Sequence, residues 1–130
     1  MILLDTNALL WVAFDDTKLS IRARTAINEA RQNGDGLAVS DISLLELTNL
    51  HRKRKIQLKT SLESFLREIE AYFLILPISA SACVQSLALP IGFPKDPADR
   101  IIAATAIVKG IPLITSDREI RKCRSLATIW

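Results

Sequence analysis

Four acidic residues lie next to or inside apolar segments of the chain. Asp5 ends the N-terminal apolar run, and Asp117 follows a second apolar run, LITS. Glu46 interrupts the apolar stretch ISLLEL, and Asp99 lies three residues after Asp96. No Lys or Arg is adjacent to Asp5 or Glu46 in the sequence. A fold that brings these acids together would therefore concentrate negative charge without a sequence neighbour to neutralise it.

Such a cluster has a specific chemical meaning. Two carboxylates 4 Å apart repel by about 4 kcal/mol at an effective dielectric constant near 20. Protons or metal ions must supply the compensating positive charge. Oxygen ligands without His or Cys favour hard cations, Mg²⁺ or Mn²⁺, which can activate a bound water and stabilise charge on a phosphate. The acids therefore indicate metal-dependent phosphodiester or phosphoryl chemistry.

Each acid also has a purely structural interpretation. Asp5 and Asp117 could cap the helices that follow them, since Asp is favoured at N-caps. Asp99 could complement a helix dipole or return a bond to Asp96. Glu46 could face solvent or pair with a cation, although Ser43, Glu46 and Asn49 are spaced to form one polar stripe on a helix.

The elements that would position these acids alternate between strand and helix. Short apolar runs predict strands at 1–5, 37–39, 73–76, 111–115 and 128–130. Helices are predicted at 7–14, from Ser20 to about 32, from Ser40 or Asp41 to about 54, from Thr60 or Ser61 onward, at 79–87, at 96–109, and in a short segment capped by Ser116.

The clearest helix signal covers residues 96–109. Asp96 is a suitable N-cap, Pro97 suits the first helical position, and Gly110 follows the end. The helix is apolar nearly all round, which predicts a central, buried position.

Alternating strands and helices predict an α/β fold, with a parallel sheet covered by helices on both faces. Such sheets bind ligands beyond the carboxyl ends of their strands. Asp5 and Asp117 both follow predicted strands, so this edge is where the chemistry is expected.

Composition narrows the class further. The 130 residues suit one domain, 1–130, and 49% hydrophobic with 24% charged residues is typical of a folded globular protein. Two cysteines forty residues apart and the lack of a basic N-terminal segment predict a cytoplasmic protein with no secretory signal. The uncharged run between Glu70 and Lys95 contains three prolines, so we expect no membrane span. The single histidine, His51, excludes a His-rich zinc site.

Two groups of cations could contact a polyanion. The first is the run His51-Arg52-Lys53-Arg54-Lys55 with Lys59, and the second contains Arg118, Arg121, Lys122 and Arg124. Both could equally be solvated helix ends, where cations complement the dipole. The net charge of +3 permits nucleic-acid binding without demonstrating it.

Four segments in order resemble the PIN-domain family, and more narrowly the VapC-type toxins of type II toxin–antitoxin systems. They are LLDTNALLW at the start, VS through LLEL in the middle, DPADRIIAATA, and LITSD near the end, with a terminal IW. The resemblance covers essentially the whole chain.

This resemblance implies a three-layer α/β/α sandwich around a short, mainly parallel sheet. It implies an endoribonuclease that depends on one or two Mg²⁺ or Mn²⁺ ions and hydrolyses RNA with a metal-activated water. The family's acidic set maps onto Asp5, Glu46, Asp99 and Asp117, as catalytic residues and metal ligands. Thr115 matches the family's hydroxyl residue, and Asp96 belongs to its third motif as an N-cap or auxiliary acid.

Position 7 departs from the pattern, since related members often have His where this chain has Asn7. Asn7 could act in the outer shell of the metal or only at a helix start.

The resemblance also implies a cognate antitoxin, held in a groove between helices of the N-terminal half, and a homodimer. Arg52, Lys53, Arg54 and Arg118 are the cations most suited to contact RNA.

The alternative to a ribonuclease is a non-catalytic PIN-like module that binds RNA or protein. A phosphohydrolase with an aspartyl nucleophile is disfavoured, because position 7 lacks the second acid of a DxD motif.

Overall fold

A five-stranded parallel sheet forms the centre of the molecule. The computed structural model describes residues 1–130. Its strands are β1 (Ile2–Leu4), β2 (Leu37–Ser40), β3 (Leu74–Leu76), β4 (Leu113–Ile114) and β5 (Thr128–Ile129). They are ordered β3-β2-β1-β4-β5, and every neighbouring pair is parallel. All five carboxyl ends therefore lie along one edge.

Seven α-helices cover the sheet. They are α1 (Thr6–Phe14), α2 (Ile21–Gln32), α3 (Asp41–Arg52), α4 (Leu62–Tyr72), α5 (Ala80–Ser86), α6 (Pro97–Lys109) and α7 (Arg118–Arg121), with a single 3₁₀ turn at Asp16–Lys18. None of them combines the length and apolarity that a bilayer crossing requires.

Alternation along the strands produces two cores. Leu4 and Val39 pack into one buried cluster with α1 to α4, whereas Leu3 and Ala38 pack into a second cluster with α6 and α7. Successive strand side chains point to opposite faces, so a sheet covered on both sides needs apolar residues at every position. The predicted three-layer α/β/α sandwich is confirmed.

The predicted helix and strand boundaries agree with the structure to within a few residues, and the structure identifies the capping residues. Ser40 and Ser61 are the N-caps of α3 and α4. Helix α3 ends at Arg52 rather than 54, because Arg54 has a left-handed φ of 57°. The prediction that Ser116 caps the last helix is wrong. Asp117 is the cap, since its Oδ1 accepts hydrogen bonds from two backbone amides of α7.

Helix α6 matches its sequence signal closely. Asp96 Oδ1 accepts from the amides of Ala98 and Asp99 at 2.8 and 3.2 Å, and Gly110 ends the helix with a left-handed φ of 65°. Five consecutive residues, 102–106, are buried, whereas Val108 is exposed. This helix places Asp99 in its first turn.

Candidate active site

The carboxyl edge of the sheet carries a polar cavity of about 330 Å³, here called the carboxylate pocket. Asp5 reaches it from the end of β1, Glu46 from α3, and Asp96 and Asp99 from the start of α6. Its full lining is Asp5, Thr6, Asn7, Glu46, Asn49, Leu50, Lys53, Asp96 and Asp99. Leu50 is the sole hydrophobic member. The structure thus brings three of the four predicted catalytic acids to one concave surface.

Asp5 is a buried carboxylate fixed by the fold. Its side chain is only 6% exposed, and Oδ1 accepts a hydrogen bond of 2.8 Å from the Ala8 amide. Burial raises the pKa of Asp5 above its ordinary value, and hydrogen bonds from Thr115 and Ala8 oppose that rise. The Asp117 carboxylate raises it further. Asp5 is therefore both the N-cap of α1 and a wall of the carboxylate pocket, so the two interpretations offered by the sequence do not exclude one another.

Glu46 is oriented by the Thr6 hydroxyl, which itself contacts a second hydroxyl. Thr6 Oγ1 donates to Glu46 Oε1 and also lies 2.9 Å from Ser43 Oγ, one turn earlier on the same helix. Glu46 forms no ion pair. Partial burial raises its pKa, the Thr6 hydrogen bond opposes that rise, and repulsion from neighbouring carboxylates adds to it. Within the predicted polar stripe, Glu46 and Asn49 therefore line the carboxylate pocket, and Ser43 contacts the threonine that holds Glu46.

Asp99 is the most strongly perturbed acid. Partial burial and repulsion from neighbouring carboxylates together raise its pKa to about 7, and burial is the larger cause. The repelling carboxylates are those of Asp96, Glu46, Asp5 and Asp117. Its own carboxylate accepts no hydrogen bond and forms no ion pair within the chain. Neither structural interpretation of Asp99 accounts for a carboxylate held in this environment.

Asp117 stands beside the carboxylate pocket instead of lining it. Its Oδ1 caps α7, and its amide donates to Thr115 Oγ1 at 3.2 Å. Its charge nevertheless raises the pKa of both Asp5 and Asp99. The fourth acid therefore acts on the site electrostatically, and buried Thr115 links it to Asp5.

Two of the predicted auxiliary residues line the carboxylate pocket, whereas the predicted RNA-contacting cations lie in separate regions of the molecule. Asn7 and Asp96 both line the carboxylate pocket, and Asp96 is also the N-cap of α6. Of the predicted RNA contacts, Lys53 lines this pocket, whereas Arg52 and Arg54 are exposed outside it. Arg118 lines a separate basic cavity next to β5.

Sequence reasoning missed the role of Thr6. This threonine is buried and holds Glu46 across 40 positions of sequence, which no local spacing reveals. Its position directly after a strand-ending acid was the available signal.

The donor set fits a hydrated hard cation. Carboxylates and the amide oxygens of Asn7 and Asn49 supply oxygen ligands, and the lining contains no His or Cys. No three acidic, His or Cys side chains lie close enough together in this structure to hold an ion between them. Mg²⁺ retains several waters and needs only one or two carboxylates, so an open group of acids suits it.

Sequence comparison defines the family to which this fold and site belong. The family model described as PIN domain matches residues 2–125. The chain belongs to the PIN-domain family.

A named relative extends this result over the full length. The chain is 38% identical over 131 aligned residues to Ribonuclease VapC22 of Mycobacterium tuberculosis, covering 99% of this chain and 98% of the relative.

Solved structures share the fold. The VapBC2 complex of Rickettsia felis, bound to a promoter DNA fragment, matches with a TM-score of 0.74 at 22% identity over 98% of this chain and 97% of its own. DNA-bound VapBC from Salmonella typhimurium matches with a TM-score of 0.72 at 19% identity, over 98% and 95%. At such identities these matches establish the architecture alone.

Proposed function

We propose that this chain is the toxin of a type II toxin–antitoxin pair and a metal-dependent endoribonuclease that hydrolyses RNA phosphodiester bonds. The observation that carries the proposal is the group of four acids at one sheet edge, with no ion pair to any of them. Full-length similarity to a relative named as a ribonuclease supports the same activity.

The catalytic and ligand set we propose is Asp5, Glu46, Asp99 and Asp117. A bound Mg²⁺ or Mn²⁺ ion, or a pair of them, would supply the positive charge, an activated water and stabilisation of the leaving oxygen. The chain's own contribution is orientation. The Ala8 amide fixes Asp5, and the Thr6 hydroxyl fixes Glu46. Asp99, free of hydrogen bonds within the chain, keeps both oxygens available for a ligand.

We assign supporting roles to four further residues. Thr115 and Asp96 hold Asp117 and the start of α6 in position. Asn7 lines the carboxylate pocket as an amide, which suits an outer-shell hydrogen bond to a bound water. Lys53 is the cation of the first basic group placed to meet a phosphate there.

A second cavity supports the antitoxin proposal. About 580 Å³ in volume, it lies between the end of α1 and α4, with Val12, Phe14, Phe65, Ile69 and Tyr72 among its walls. We call it the helix cavity. Apolar grooves between helices suit an apolar segment of a partner protein. We propose that the antitoxin inserts such a segment here, in keeping with the toxin–antitoxin complexes that share the fold.

Exposed apolar side chains support the proposed homodimer. Val84, Leu87 and Ile91 are 70%, 84% and 105% exposed on α5 and the loop after it. Clusters of this kind mark protein interfaces. Size-exclusion chromatography with light scattering should give a dimer mass at micromolar concentration, and a monomer would contradict this part of the proposal.

We further propose that residues 1–130 act as one domain in the cytoplasm, where both cysteines stay unpaired. The alternative function, a non-catalytic PIN-like module, has less support, because the complete acidic set is present.

The test is incubation of the purified chain with a mixed pool of tRNA, rRNA fragments and mRNA in Mg²⁺, in Mn²⁺ and in EDTA. Discrete cuts that need metal and vanish in Asp5→Asn and Asp99→Asn are expected. Asp35→Asn, an exposed acid in the loop before β2, is the matched control and should cut like the wild type. Absence of cuts together with absence of Mn²⁺ binding would instead favour the non-catalytic module.

A further inference from the structure

A basic cavity of about 410 Å³ lies at the sheet edge beside β5, and we call it the edge pocket. It is lined by Arg22, Arg118, Arg121, Lys122, Thr128 and Trp130. Arg22 comes from α2, Arg118 and Arg121 come from α7, and Lys122 is the C-cap of α7, so residues nearly one hundred positions apart in sequence converge here. The second basic group seen in the sequence thus gains Arg22, whereas Arg124 is not part of the lining.

The charges of the edge pocket are largely uncompensated. Lys122 pairs with Glu119 at 3.0 Å, an exposed contact of small energetic value. Arg22, Arg118 and Arg121 form no ion pair with any Asp or Glu of the chain. Three arginines without partners around one concavity favour an anion, and guanidinium groups match phosphate geometry.

The edge pocket lies on the same edge of the sheet as the candidate active site. Strand β5 is parallel to β4, so Trp130 at its carboxyl end lies on the same edge as Asp5 and Asp117. Arg118 follows Asp117 directly in the chain. A strand of nucleic acid that places one phosphate at the carboxylate pocket can therefore extend along the edge to these arginines.

An aromatic side chain accompanies the charges. The Trp130 ring packs against Trp11, with centroids 5.5 Å apart and a tilt of 47°, and it stays partly exposed at the pocket. Cationic grooves that follow a backbone beside aromatic platforms for bases are typical of single-strand recognition. The cations of the basic run at 51–55 do not converge on one cavity in this way. Lys53 lines the carboxylate pocket and Lys55 lines a separate cavity with Trp11 and Phe14, whereas Arg52 and Arg54 line neither pocket.

From this juxtaposition we infer that the edge pocket is an RNA backbone subsite, in which Arg22, Arg118 and Arg121 bind a phosphate flanking the scissile one and Trp130 supports a base. The inference rests on the proposed ribonuclease function and specifies how that site holds its substrate.

The test measures binding separately from cleavage. Fluorescence anisotropy follows a 5′-labelled, random-sequence 12-nucleotide RNA pool in Mg²⁺, with Asp99→Asn present in every protein to prevent cutting. The double change Arg22→Gln with Arg121→Gln is compared with Lys109→Gln and Arg124→Gln, which removes the same charge from exposed positions outside the edge pocket.

The edge-pocket variant should bind about tenfold more weakly near 100 mM salt. Its log–log salt slope should be smaller by about 1.4, because each single-strand phosphate contact contributes about 0.7. The control should keep the wild-type slope. Equal losses in both variants, or no loss in either, would overturn the subsite.

Two further readouts separate this inference from the proposed function. With Asp99 restored, the edge-pocket variant should raise KM for RNA cleavage and leave kcat close to wild type. Normal cleavage with unchanged KM would overturn the subsite and leave the nuclease intact. Arginine-dependent RNA binding in a chain that cuts nothing would keep the subsite and overturn the nuclease.

A 12-residue poly-glutamate peptide that binds in place of RNA, with the same arginine dependence, would assign the edge pocket to an acidic protein segment and overturn the RNA assignment.

Discussion

The carboxylate pocket and the helix cavity are built in opposite ways. The larger helix cavity is lined mainly by hydrophobic side chains, of which Phe65 and Ile69 are buried and contribute to stability. The smaller carboxylate pocket is walled by acids that repel one another, and three of them have a raised pKa. The first surface is suited to contact with an apolar partner. The second is held in an electrostatically unfavourable arrangement by the surrounding fold.

This difference shows that size is a poor guide to chemistry here. The carboxylate pocket forms where strand ends and helix starts meet, and these points supply short, fixed backbone segments for Asp5 and Asp99. The helix cavity forms between the end of α1, the segment 57–60 and α4, and none of its lining residues follows a strand. Changes in the two walls should therefore have effects of opposite sign on stability.

The largest expected effect is loss of RNA cleavage in Asp99→Asn. Removing a group aimed at the reacting phosphate or its cation should lower the cleavage rate by about 10³-fold, roughly 4 kcal/mol in the barrier. Cleavage rates at saturating Mn²⁺, with Asp35→Asn alongside, measure it. A rate within tenfold of wild type would remove Asp99 from the catalytic set.

The next effect lies in the helix cavity. Phe65→Ala should lower the free energy of unfolding by about 3 kcal/mol, at the lower end for a buried Phe because one side of the ring adjoins open space. It also removes the stacked contact with Phe14, whose ring centroid is 5.4 Å away. Urea unfolding followed by circular dichroism gives the value. A cost below about 1 kcal/mol would mean that this wall is not part of the core.

A smaller effect is expected from the hydroxyl that holds Glu46. Thr6→Val should reduce cleavage by about 10- to 100-fold, the usual cost of losing a group that orients a ligand. Thr6→Ser retains a hydroxyl and should recover most of the activity. Equal activity in the Val and Ser variants would show that Glu46 needs no orientation by residue 6.

The smallest effect is a pH dependence of stability without metal. The pKa of Asp99 is about 7 in the folded chain, against an ordinary value of 3.8. Between these values the native state binds more protons than the unfolded state, so stability falls as pH rises. Asp99→Asn should therefore be more stable than wild type above pH 7, by about 1 kcal/mol after allowing for solvent screening. Thermal melts in EDTA at pH 5 and pH 8 test this, and an identical difference between variants at both values would contradict it.

Much of this fold could be predicted because its signals are local. Short apolar runs marked the strands, and the Asp96, Pro97 and Gly110 signals bounded α6. Asp117 rather than Ser116 is the cap, because Ser and Asp are both favoured at N-caps and sequence alone does not decide between adjacent capping residues.

The site was less predictable because it depends on long-range contacts. Their positions at strand ends predicted that Asp5 and Asp117 lie near one edge of the sheet. The spacing of three residues predicted that Ser43 and Glu46 share one face of a helix. The Thr6–Glu46 hydrogen bond and the convergence of Arg22 with α7 require the packing of α1 on α3 and of α2 beside β5. No pattern within a single element contains that information.

Titration calorimetry with Mn²⁺ tests the central claim most directly, because the account holds that these carboxylates are kept together to bind a cation. The wild type and Asp35→Asn should bind Mn²⁺ with the same affinity and with one or two ions per chain. Asp99→Asn should bind at least about tenfold more weakly. Mn²⁺ binding that is absent from the wild type, or unchanged by Asp99→Asn, would contradict the assignment of the carboxylate pocket as a metal-dependent active site.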